Sequence, residues 1–142
     1  MLRRFYGELA RRAEEKERRF RRFIEDARRM FPRQLTLILF GSRARGEQTM
    51  LSDYDLLAIC DAQVYEKLLE TRPIGVQLFH IDPGSLEGEM RRFNTILVDA
   101  ALEGKPMHDG LGVWGLLRRM AWEEVRRRRL EKTRAGWLPK RQ

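Results

Sequence analysis

The chain has 142 residues, 42% hydrophobic and 35% charged, with 29 Lys and Arg against 21 Asp and Glu and a single cysteine, Cys60. Such a chain is long enough to bury a core unaided; its composition argues against disorder and its lone cysteine against a disulfide framework. No apolar stretch approaches a membrane span and the N-terminal residues turn charged too soon for a secretory signal, so the expected location is cytoplasmic.

Residues 1–34 carry 12 basic and 6 acidic side chains, residues 35–112 carry 7 and 12, and residues 113–142 carry 10 and 3. An acidic centre between basic flanks suits a cation-binding core whose ends attract nucleic acid or an acidic partner. The expected plan is one domain over 1–142, with a core at about 33–110 and flanking basic helices at about 2–31 and 112–134.

From Leu2 to Met30, Phe5, Leu9, Ala13, Phe20, Phe23, Ile24 and Ala27 follow helical spacing, and Pro32 supplies the stop. One face is expected to pack. The other carries arginines with Glu14, Glu15, Glu17 and Glu25 at pairing distances, and reads as a solvated face ahead of a nucleic-acid stripe.

Leu35 to Phe40 is short and rich in Leu, Ile, Thr and Phe, as in a buried strand. It ends on Gly41-Ser42. The glycine permits a sharp turn and close approach of a ligand, and the serine can cap a short helix whose free N–H groups favour phosphate. Arg43 and Arg45 add positive charge beside that turn. A second strand spans Ser52 to Cys60, with Asp53 and Asp55 on one face. Adjacent carboxylates repel unless a cation sits between them, and Mg²⁺ takes such oxygen ligands while keeping positions for phosphate and water. Cys60, at the end of this run, reads as small core filler.

Ala62–Thr71 reads as a short helix with Val64, Leu68 and Leu69 inward, broken by Arg72-Pro73. Ile74–Ile81 reads as a third strand, with Val76, Leu78 and His80 on one face and Gln77, Phe79 and Ile81 on the other. Asp82-Pro83-Gly84-Ser85 is a turn with cap chemistry. One helix is expected from Leu86 to Gly104, then a short edge strand at Lys105–Asp109. A last helix is expected from Gly112 to about Arg134, apolar along Val113, Leu117, Ala121 and Val125 before the run Arg126 to Arg129. Gly136-Trp137-Leu138-Pro139 ends it, leaving Trp137 to fold back on the domain or dock a partner. His80 and His108 lack companions at ligand spacing and read as structural or surface residues.

The order Gly-Ser, ten residues, then Asp-x-Asp on a strand resembles the DNA polymerase beta-like nucleotidyltransferase superfamily. Within it, LFGSRARG (39–46) followed by SDYDLL (52–57) is similar to the minimal nucleotidyltransferase group of prokaryotes. The resemblance implies an α+β fold, a small mixed sheet of three to four strands packed by helices, with long N-terminal and C-terminal helices. It implies that Gly41 and Ser42 hold the phosphates of an NTP, ATP foremost, with Arg43 or Arg45 assisting, and that Asp53 and Asp55 hold Mg²⁺ or Mn²⁺. The expected reaction moves a nucleoside monophosphate to a hydroxyl on protein or RNA; in some members the target is a HEPN-type toxin. In this family the third strand bears a third carboxylate in a Val-acid-Leu pattern, and Gln77 occupies that position here. Two readings therefore stand: an active enzyme, or a nucleotide- or partner-binding module, RNA-associated in one variant, that has lost a catalytic acid. A homo-oligomer is compatible with either.

Overall fold

The computed structural model describes residues 1–141. Alternation along two central strands, β1 (Thr36–Phe40) and β2 (Tyr54–Ile59), sets the layering. Leu37, Leu39, Leu56 and Ala58 face a core completed by Phe20, Phe23, Ile24 and Ala27 of α1 (Leu2–Met30) and by Val64 and Leu68 of α3 (Ala62–Thr71). Ile38, Phe40, Leu57 and Ile59 face a second core. There they meet α4 (Leu86–Arg91), α5 (Thr95–Glu103) and α6 (Trp114–Arg128). Strands buried on both faces have no polar alternation, which is why both read as continuous apolar runs.

The sheet has four strands in the order β3-β2-β1-β4, with β3 at Val76–Ile81 and β4 at Lys105–Asp109. β1 runs antiparallel to β2 and β4, and β2 runs parallel to β3. The parallel pair needs a crossover, which α3 supplies. This is the α+β architecture with a small mixed sheet expected from the sequence. A four-residue helix, α2 (Ser42–Arg45), fills the connection after β1, and a hairpin of β5 (Leu130–Thr133) and β6 (Gly136–Pro139) follows α6.

Several expectations need correction. α1 is the single long helix foreseen, but Phe5 on its expected packing face is exposed, and its burial begins at Phe20. A 29-residue helix extends about 44 Å, whereas strands of five or six residues cover about 17–20 Å. One end of α1 must overrun the sheet. Leu69, expected inward on α3, is exposed, and Ile74 lies outside β3 in solvent. Gly41 is the cap residue of α2, and Ser42 is its first helical residue and makes no side-chain cap bond.

The helix expected from Leu86 to Gly104 is two helices. Phe93 takes a left-handed conformation (φ 55°), and the Asn94 side chain accepts from the N–H groups of Ile96 and Leu97, starting α5 afresh. The last helix stops at Arg128 rather than near 134. Arg129 turns left-handed (φ 53°), and the chain returns as the β5–β6 hairpin. Gly136–Pro139 is thus a strand. Its Trp137 folds back on the domain: Nε1 donates to Asp99 Oδ1 at 2.8 Å, and the ring meets Phe93 edge-on at 5.9 Å. Among the described residues, no helix is long and apolar enough to cross a membrane.

Candidate active site

The β1–β2 register places Phe40 opposite Asp55, so the turn leaving β1 lies against that carboxylate. Gly41 makes the turn at φ 77°, and a Cβ there would stand 2.6 Å from Asp55 Oδ2. Position 41 is therefore glycine for two reasons: a left-handed backbone, and room for a carboxylate to approach the chain. Ala44 and Arg45 donate back to the Gly41 carbonyl. The opening N–H groups of α2 have no carbonyl a turn earlier to receive them, so they remain for a ligand or water.

Asp53 lies one residue before β2, about half exposed, and Lys16 of α1 brings its Nζ to 3.5 Å from Asp53 Oδ1. Asp55 is more enclosed. Burial, and then the charge of Asp53, push its carboxyl above the ordinary value, while Arg45 pulls the other way. The parallel β2–β3 register sets Gln77 beside Asp55, exposed on the sheet edge. Among the described residues, no group of three His, Cys, Asp or Glu is placed to hold a metal ion. The two aspartates are thus a pair without a third acid.

The two arginines after the turn diverge. Arg45 ion-pairs with Glu47 at 3.3 Å and Glu103 at 3.6 Å, on the Asp55 side. Arg43 instead donates to the Ser52 carbonyl at 3.1 and 2.7 Å and lies 3.9 Å over the Tyr54 ring. Phe20 stacks on that ring at 4.0 Å. The structure therefore gathers Gly41, Ser42, Asp53, Asp55, Gln77 and Arg45, and occupies Arg43 in bracing the loop ahead of β2. Lys16 joins the group unforeseen; the only signal for it is that it is the single lysine among the twelve basic residues of 1–34.

Two sizeable clefts lie elsewhere. One of about 730 Å³ runs between α4 and α6, lined by Leu86, Met90, Leu117 and Met120. Another, about 780 Å³, opens between α1 and the sheet beside Phe20, Arg43 and Tyr54. Neither contains the aspartates, and chemistry rather than volume selects the site. Each histidine meets a main-chain carbonyl: His80 Nε2 is 2.7 Å from that of Cys60 and His108 Nε2 is 2.9 Å from that of Phe31. Burial, with Asp61 and Asp82 adding to it, pushes the Cys60 thiol up to about 12, as suits core filler.

A family model for the nucleotidyltransferase domain matches residues 20–134. The chain belongs to that family. The matched segment of this nucleotidyltransferase domain starts at Phe20, where burial of α1 begins. Among solved structures, it is similar to a toxin–antitoxin complex with AMP-PNP. The identity is 18%, over 76% of this chain and 88% of that one, at a TM-score of 0.50. It is similar also to a mutant toxin–antitoxin MntA–HpeT, at 15% identity over 75% and 86% and a TM-score of 0.50. A nucleotidyltransferase-like structure from Sulfolobus solfataricus matches at 20% identity over 54% and 76%, with a TM-score of 0.42. These likenesses concern the fold. Comparison with curated proteins finds no match.

Proposed function

We propose that this nucleotidyltransferase domain binds an NTP, ATP foremost, with Mg²⁺ or Mn²⁺ and transfers its nucleoside monophosphate to a hydroxyl on protein or RNA. The new bond joins the acceptor oxygen to the α-phosphorus, the α–β phosphoanhydride bond breaks, and pyrophosphate leaves. The observation that supports this reading is the close approach of Asp55 to the Gly41 turn, which sets that turn beside a carboxylate. Gly41 and Ser42 present main-chain N–H groups to the β- and γ-phosphates, and Arg45, held beside them by Glu47 and Glu103, adds positive charge. Arg43 contributes by holding the Ser52 carbonyl, and with it the approach to Asp53.

The donor set fits one divalent ion. Two carboxylates lie close enough for Asp53 to raise the proton affinity of Asp55, and a cation between them relieves that repulsion. Such an ion, when bound, neutralises phosphate charge and acidifies the attacking hydroxyl. Asp53 and Asp55 would hold it, with Gln77 able to offer a neutral carbonyl oxygen.

Gln77 supports a second reading, a domain that binds nucleotide without turnover. The setting proposed for either is cytoplasmic. The fold shared with toxin–antitoxin structures makes a HEPN-type toxin the first acceptor to test. The deciding experiment is incubation with each radiolabelled NTP and Mg²⁺ or Mn²⁺, offering RNA, cell lysate and such a toxin. Label transfer lost in Asp53→Ala/Asp55→Ala establishes the enzyme. Transfer seen only with Gln77→Asp establishes the binding module.

A further inference from the structure

Lys16 is built into the site more firmly than a surface ion pair requires. Its ammonium has three N–H donors, and three oxygens surround it: Ser52 O at 3.3 Å, Leu51 O at 3.5 Å and Asp53 Oδ1 at 3.5 Å. Its side chain is 19% exposed. The stem crosses Gly75, where a Cβ would come within 2.8 Å of Lys16 Cγ and 2.9 Å of Cδ. Gly75 has φ +93°, and its carbonyl accepts from the Tyr54 N–H at 2.8 Å, so the residue that admits the lysine also anchors the start of β2. The branched, planar head of an arginine is a poorer fit to three oxygens around a point charge.

We infer that Lys16 is a resident cation of this site, a positioning residue that neutralises Asp53 so that Asp53 and Asp55 hold one divalent ion rather than two. This rests on the metal-site reading above. With Lys16 set against Asp53, one divalent ion already exceeds the remaining carboxylate charge by one, and a second would leave the site, before nucleotide binds, strongly positive. Gln77 is consistent with that count, since a third carboxylate is needed only where a second ion must be held. Lysine and glutamine together thus describe a one-ion site.

Manganese titration of the full chain, followed by electron paramagnetic resonance without nucleotide, tests the inference. Lys16→Met keeps the stem along Gly75 and removes the charge. The native chain is expected to bind one Mn²⁺. Lys16→Met should bind it on the order of tenfold more tightly, as expected when a cation some 4–6 Å away is deleted, and Lys16→Arg should return toward native affinity. Lys16→Met/Gln77→Glu should take up a second ion. Two ions in the native chain, or unchanged affinity in Lys16→Met with a lowered Tm, would overturn the inference and leave Lys16 a mere tether. Asp53→Ala/Asp55→Ala separates the levels: if it binds Mn²⁺ as the native chain does, the metal site itself is wrong.

Discussion

Asp55 is held where its charge is unwelcome, half-buried beside Asp53 with Arg45 as partial compensation. An acid whose folded pKa is raised binds its proton more readily folded than unfolded, so ionising it costs stability. That cost is absent below the ordinary value of 3.8 and complete once pH passes the raised folded value. Asp55→Asn is therefore expected to raise Tm at pH 7 while abolishing the proposed transfer, with the gain in Tm disappearing as pH falls below 3.8. Melts across pH check this, and an equal loss of Tm at pH 7 and pH 3 would contradict it. Gly41→Ala should do the reverse, losing about 1 kcal/mol or more to backbone strain and also weakening NTP binding as the new Cβ displaces Asp55. Urea unfolding and nucleotide titration read the two effects separately. Gly41 and Asp55 were legible in the sequence because one follows β1 directly and the other stands at the start of β2, while Asp53, expected on that strand, lies one residue ahead of it. Lys16 was not: its partner is more than thirty residues away, and one lysine in a helix of arginines looks like any solvated cation.

At the scale of elements, short apolar runs located the central strands of the main sheet, and the same signal failed where an apolar pattern continued through a break. Met90, Phe93 and Leu97 keep helical spacing across the junction of α4 and α5, so nothing in hydrophobicity separates the two helices. The separation is made by Asn94, whose side chain takes two N–H groups of α5 and whose amide donates to Glu89 at 2.8 Å. Asn94→Ala should cost about 1 kcal/mol, read as a lower urea midpoint with an unchanged slope. A change in slope would mean that the junction is not a local cap. The β5–β6 hairpin was hidden for another reason: each strand has four residues, too few for a period-two pattern to emerge. What fixes it is tertiary, through Trp137 on Phe93 and Asp99 and through Lys132, which ion-pairs with Asp99 at 2.9 Å.

Across the whole molecule, the charge map read from the sequence places basic flanks around an acidic centre, and the fold divides the C-terminal arginines into two kinds. Arg127 and Arg128 both pair with Glu124, at 2.5 and 3.1 Å. Arg128 also donates to the Arg91 carbonyl and lies 5.1 Å over the Phe93 ring, tying the end of α6 to α4 and its following turn. Arg126 and Arg129 make no ion pair among the described residues and stand in solvent. Charge that is already paired has less to offer a polyanion than charge whose counterions are loosely held, because binding is driven by releasing those counterions. Arg126→Gln/Arg129→Gln is therefore expected to leave Tm within about a degree of native, since exposed unpaired charges contribute little to stability. It should flatten the dependence of log K on log salt for single-stranded RNA by about 0.7 for each phosphate that is no longer neutralised. Arg127→Gln/Arg128→Gln should lower Tm, having freed Glu124 and uncovered the Phe93 ring, and change the salt slope less. If the two double variants alter RNA affinity and salt slope equally, the division by pairing is wrong. If neither alters them, the basic end of α6 is a solvated face and the RNA-associated reading loses its support.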